Sequence, residues 1–143
     1  MKRILVLNGP NLNRLGTREP EVYGSDSLDD IAARLHDQAS ALGVDIDLRQ
    51  SNHEGHLIDW LHEAADSGAH AVILNAGGLT HTSVALRDAI AAVPTPVIEV
   101  HLSNPAARES FRRRSLISGV CTGSISGFGA SSYVLALDAA ARL

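Results

Sequence analysis

Residues 71–78 read AVILNAGG: four apolar residues, then Asn75, Ala76 and the pair Gly77-Gly78. A short apolar run closed by turn residues is the pattern of a strand buried on both faces, as in the middle of a parallel sheet. The pattern repeats at residues 4–7, closed by Asn8-Gly9-Pro10, and at residues 97–100, which follow Pro94-Thr95-Pro96 and end at His101. Residues 44–48 alternate apolar side chains with Asp, and residues 120–125, between Gly119 and Gly127, give a fifth candidate strand.

The intervening stretches carry helical periodicity. Ile31, Leu35, Ala39 and Leu42 recur near the 3.6-residue period, with Ser27, Asp29 and Asp30 at the start and Gly43 at the stop. Leu57, Ile58, Leu61, Ala64 and Ala65 form a second apolar face ending near Gly68, and Val84, Leu86, Ile90 and Val93 a third. Asn104-Pro105 supplies a cap and first-position proline for a short fourth helix, and residues 133–141 form the last. Strands alternating with helices imply an α/β fold: a parallel sheet with helices on both faces. Five strands at this length suit a flavodoxin-like three-layer domain of strand order 2-1-3-4-5. Such a sheet binds ligands at the carboxyl ends of its strands, where the first and third strands diverge. The loops to read therefore follow Leu7, Leu74 and Val100.

Composition narrows the function. At 143 residues the chain forms a single domain, residues 1–143, with no linker or repeat. A net charge of −4 and 3% aromatic content argue against nucleic-acid binding. One cysteine, Cys121, excludes an intrachain disulfide and a cysteine-based zinc site. The basic start, Met1-Lys2-Arg3, is followed by too short an apolar run for a signal peptide, and no segment approaches the ~20 apolar residues of a membrane span, so a cytoplasmic location is expected. Of 12 basic residues only Lys2 is lysine, so a lysine Schiff base must use Lys2 or be dropped.

The loop after the first strand, residues 8–24, reads NGPNLNRLGTREPEVYG. It exceeds the usual two to six residues of such a connection and brings Asn11, Arg14, Arg18, Glu19 and Tyr23 together, as in a lid over the crevice. A free phenol ionises near pH 10, too high for a base at neutral pH. A guanidinium close by favours the phenolate, and about 4 kcal/mol of such stabilisation brings ionisation down to neutral pH. Arg14 and Arg18 are the local candidates; the alternative is that Tyr23 packs as an ordinary anchor. After the third strand, Asn75 and His81 stand at the predicted crevice, and the Gly pair lets backbone approach a ligand. Neither G-x-G-x-x-G nor G-K-[ST] is present, so this is no dinucleotide or P-loop fingerprint. At the end of the fourth strand, Glu99 and His101 are two residues apart and project to one face, where the carboxylate can fix the imidazole tautomer. Arg108, Arg112, Arg113 and Arg114 read as a solvated basic face from which one arginine can reach back over the crevice.

Two patterns are decoys. His53-Glu54-Gly55-His56 lacks the H-E-x-x-H spacing of a zinc site. Gly119-Val-Cys121-Thr-Gly123 imitates a nucleophile elbow, but strand-like sequence runs on to Ile125, so Cys121 is expected to be a buried structural thiol.

These loops resemble a known family, the type II 3-dehydroquinate dehydratases of the shikimate pathway. The resemblance is carried by residues 8–24, by NAGGLTHTSVALRDA at 75–89, by EVHLSNPAARESFRRRS at 99–115 and by GFGASSYVLAL at 127–137. It implies a lyase without cofactor or metal that converts the small-molecule substrate 3-dehydroquinate to 3-dehydroshikimate by anti elimination through an enolate. Tyr23 would be the proton acceptor, Arg18 the transition-state stabiliser and His101, oriented by Glu99, the proton donor. Asn11 would hold a water or carbonyl group near the enolate oxygen. Asn75, His81 and Arg112 would bind substrate hydroxyls, while Ser103 and the Leu102 backbone would take the carboxylate. Asp88 would reach into a neighbouring subunit's site, since the family forms dodecamers built from trimers. The rivals are a flavodoxin-like module that binds a flavin or anionic metabolite, and a hydrolase using Cys121.

Overall fold

The computed structural model describes residues 1–17 and 19–143. Five parallel strands, β1 (Arg3–Asn8), β2 (Asp45–Gln50), β3 (Ala71–Asn75), β4 (Val97–His101) and β5 (Gly123–Ser126), form one sheet in the order β2-β1-β3-β4-β5. This is the flavodoxin-like arrangement expected from the alternation of elements.

Period-two alternation on the central strands builds two cores. Ile4, Val6, Ala71, Ile73, Ile98 and Val100 face one side, where α2 (Leu28–Leu42) and α5 (Ser131–Ala141) pack with Ile31, Leu35, Tyr133 and Leu137. Leu5, Leu7, Val72, Leu74 and Val97 face the other, under α3 (Glu54–Asp66) and α4 (Val84–Ala92) with Leu57, Leu61, Leu86 and Ile90. The start of α2 is a reciprocal cap: Asp30 N–H donates to Ser27 Oγ at 3.1 Å and Ser27 N–H to Asp30 Oδ2 at 3.0 Å. Gly43 ends the helix in the left-handed region, φ 70°. Among the described residues no helix is long and apolar enough to cross a membrane.

Two elements differ from expectation. The fifth strand begins at Gly123, because residues 118–120 form a 3₁₀ turn and Cys121 and Thr122 lead out of it. Asn104 does cap a turn, accepting from Ala106 N–H at 3.2 Å, but no helix follows. Only the 3₁₀ turns Pro105–Ala107 and Ser110–Arg112 form, since Ala106, Ala107 and Phe111 are exposed and give no apolar face to pack. The first long loop carries a 3₁₀ turn, Leu12–Arg14, and a one-turn helix, α1 (Pro20–Tyr23), which brings Tyr23 back to the sheet.

Candidate active site

The carboxyl ends of β1, β3 and β4 open onto a crevice of about 130 Å³. Asn11, Tyr23, Asn75, His81, His101, Leu102, Ser103 and Arg112 all line it. Glu99 lies behind His101, and Asp88 sits on the exposed side of α4, outside the crevice. Arg18 falls outside the described residues.

The floor is rigid backbone. A Cβ on Gly9 would come within 2.6 Å of the Ala76 carbonyl oxygen, and one on Gly77, at φ 59°, within 2.9 Å of the Pro10 carbonyl. Gly77, read in the sequence as making room for a ligand, thus makes room for the neighbouring loop; Gly78 has open space around it. Asn11 follows at φ 71°, a conformation Asn tolerates, and its N–H donates to Asn52 Oδ1 at 2.9 Å.

Beneath the floor, Tyr133 of α5 ties β1 to β3. Its hydroxyl donates to Asn8 Oδ1 at 2.6 Å and accepts from Asn75 Nδ2 at 2.8 Å. Asn75 Oδ1 accepts from Gly77 N–H at 3.2 Å, so the amide has one N–H and one lone pair left for a ligand. Burial pushes the Tyr133 phenol above its ordinary range, against the bond from Asn75, and the hydroxyl stays a neutral donor. Tyr133→Phe should therefore cost about 1–3 kcal/mol by leaving buried polar groups unpaired. A fall in the urea midpoint checks this; an unchanged midpoint would show that the network does not hold the floor.

At the end of β4, His101 Nε2 lies 2.5 Å from Glu99 Oε2. Glu99 is 2% exposed. Burial pushes its carboxyl up, but hydrogen bonds from His101 and Ser118, the His101 charge and a bond from Ser115 outweigh burial, and the net shift is downward. An ionised carboxylate only accepts, so Nε2 carries the proton and Nδ1 is the ring nitrogen left for chemistry. His81 stacks against the His101 ring at 6.5 Å, with its own Nδ1–H donated to the Arg114 carbonyl at 2.8 Å. With its folded value lowered, Glu99 contributes stability that is full above its ordinary value of 4.5 and is lost as pH falls through the folded value. Urea midpoints from pH 7 down to pH 3 should thus fall more steeply in the wild type than in Glu99→Gln; equal slopes would remove Glu99 from the acid response.

Across the crevice, Arg108 Nη1 donates to Tyr23 Oη at 2.8 Å and to Ser103 Oγ at 3.4 Å, and its guanidinium carbon lies 4.9 Å from the Tyr23 ring centre. The sequence allowed one arginine of the basic face to reach back over the crevice; Arg108 does so, and Arg112 lines the crevice as well. The sequence also left Ser115, Ser118 and Tyr133 without roles. Their one signal is position: Ser115 closes the third of the quoted motifs and Tyr133 lies within the fourth. Arg112 lines the crevice and pairs with Glu109.

The decoys resolve structurally. Ser51 Oγ and His56 Nδ1 are 2.7 Å apart, and among the described residues no three His, Cys, Asp or Glu side chains gather around a metal-sized site. Burial, helped by the Glu99 charge, pushes the Cys121 thiol up to about 12, so it stays protonated and is a poor nucleophile at neutral pH.

The family model described as dehydroquinase class II matches residues 2–141. The chain is 59% identical over 140 residues to a 3-dehydroquinate dehydratase of Caulobacter vibrioides, covering 98% of this chain and 95% of that one. It superposes with a TM-score of 0.96 on the type II dehydroquinase of Propionibacterium acnes, 46% identical over 100% of this chain and 98% of that one. The type II dehydroquinase of Butyrivibrio crossotus gives 0.96 at 41% identity, with 97% of each chain covered.

Proposed function

Since the chain belongs to the class II dehydroquinase family, we infer that it catalyses the removal of water from 3-dehydroquinate to give 3-dehydroshikimate, a lyase step of the shikimate pathway. The observation that carries the reading is the pairing of two dyads in one crevice, Tyr23 with Arg108 and His101 with Glu99.

In this reading Tyr23 removes the proton beside the ketone, and the electron pair passes into an enolate. Arg108 stands hydrogen-bonded to the Tyr23 oxygen and places a positive charge beside the group that takes the proton. Arg18 is assigned the same task and the steadying of transition-state charge. Asn11 holds a water or carbonyl group near the enolate oxygen. The carbon–oxygen bond then breaks, and His101, oriented by Glu99, protonates the departing hydroxyl. Asn75, His81 and Arg112 bind substrate hydroxyls; Ser103 and the Leu102 backbone take the carboxylate. The chain's sole lysine, Lys2, donates to the Ala141 carbonyl at the amino end of β1, the end opposite the crevice, which favours an enolate over a Schiff-base route.

The proposal extends to a single cytoplasmic catalytic domain that works as a dodecamer of four trimers. Asp88 supports the assembly: it is exposed on α4, away from its own crevice, where it is available to a neighbour's. The enzyme assay follows the enone absorbance of product when the purified protein meets 3-dehydroquinate. Turnover is expected between pH 6 and 9, and its absence would overturn the reading.

A further inference from the structure

Glu99 is held by more than His101. Oε2 accepts from His101 Nε2 and, at 3.0 Å, from the Ser115 hydroxyl; Oε1 accepts from the Ser118 hydroxyl. Three of the roughly four acceptor positions of the carboxylate are thus filled. The Ser115 hydroxyl cannot turn away. Its oxygen already accepts from Ile117 N–H at 3.2 Å and Ser118 N–H at 3.0 Å, so its single proton is directed at Glu99. The 3₁₀ turn Ser118–Val120 in turn fixes Ser118.

This arrangement answers a difficulty of the site. A second cavity, of about 170 Å³, reaches Glu99 from the loop side and is lined by both serines, with Thr80, Ser124 and Ser126 among its other walls. A carboxylate as deeply buried as Glu99 tends to take up a proton unless donors hold its charge. A protonated Glu99 would no longer be the pure acceptor that keeps the His101 proton on Nε2.

We propose that Ser115 and Ser118 are positioning residues for the reaction: their two hydroxyls hold Glu99 as an ionised acceptor, which keeps one proton on His101 Nε2 and aims Nδ1, which carries the proton to be donated, into the crevice. This rests on the role of His101 as proton donor. The other titratable and charged groups facing the pair are His81, stacked on His101; Cys121, whose thiol feels the Glu99 charge; and Arg112 and Arg113 on the cavity wall. The two cations act in the same direction as the serines, and the protonated thiol adds no charge.

The test replaces Ser115 and Ser118 by Ala, singly and together, and follows kcat and KM across pH. Removing donors from the charged form raises the pH at which Glu99 protonates. The acid-side limb of the kcat profile should therefore move to higher pH, with kcat at pH 7 down about tenfold and KM within about twofold. In a Glu99→Gln background the same substitutions should change kcat less than twofold, because no carboxylate remains to hold. A loss of kcat at every pH with the limb unmoved, or undiminished losses in the Glu99→Gln background, would overturn the proposal. Nitrogen-15 shifts of the His101 ring give a second readout that needs no substrate. In the neutral ring that remains once the Nδ1 proton is gone, the Nε2–H tautomer should dominate in the wild type and lose its dominance in Ser115→Ala/Ser118→Ala; an unchanged tautomer balance would also overturn the proposal. Failure of the wild type to turn over 3-dehydroquinate would instead count against the function itself.

Discussion

Tyr23→Phe is expected to lower kcat by about 10²–10⁴-fold, the usual worth of a positioned acid or base, while the thermal midpoint stays near that of the wild type. The substitution keeps the ring, which packs against the core and under the Arg108 guanidinium, and removes only the oxygen that Arg108 bonds. No other phenol lines the crevice: Tyr133, the only other tyrosine, is buried below the floor and committed as a neutral donor. Arg108→Lys should fall between wild type and Tyr23→Phe, because an ammonium keeps the charge but loses the planar guanidinium that packs on the Tyr23 ring. Initial rates by enone absorbance decide it. A Tyr23→Phe enzyme with more than a tenth of wild-type kcat would move the base elsewhere.

His101→Ala should produce a loss of the same order, about 10²–10⁴-fold in kcat, for a different reason. The leaving group is a hydroxide unless it is protonated as the bond breaks, and His101 is the ring in the crevice whose orientation is set by a buried carboxylate. Glu99→Gln should recover little of this. To give up a proton from Nδ1 the ring must carry protons on both nitrogens, and a neutral amide no longer balances that charge at Nε2. Single-turnover rates at saturating substrate separate this loss from weaker binding. A His101→Ala enzyme with kcat within tenfold of wild type would mean that another group, His81 foremost, donates the proton.

The central strands were legible because burial on both faces leaves uninterrupted apolar runs at residues 4–7 and 71–74, and handedness then orders the sheet. The Glu99–His101 pair was legible because a strand places residues two apart on one face. Edge strand β5 was not, since Gly-Ser-Ile-Ser has no run to mark its start and the preceding Val120-Cys121 imitates one. Arg108 was lost among four nearby arginines for a related reason. Only successive 3₁₀ turns, which follow neither strand nor helix period, turn Arg108 and Arg112 to the crevice. Ser115 and Ser118 depend on the same irregular stretch, whose geometry is set by tertiary contacts such as Leu116 N–H to the Thr80 carbonyl at 2.8 Å.

The mating of the two glycines has a consequence for inhibitor chemistry. Where Gly9 meets Ala76 and Gly77 meets Pro10, main chain abuts main chain, with no side chain between that substitution could enlarge or trim. Resistance by remodelling is therefore closed along this seam, where a new side chain would collide with backbone. A compound whose rigid half is shaped to the seam meets main chain already packed in place, and so loses little affinity to reorganisation.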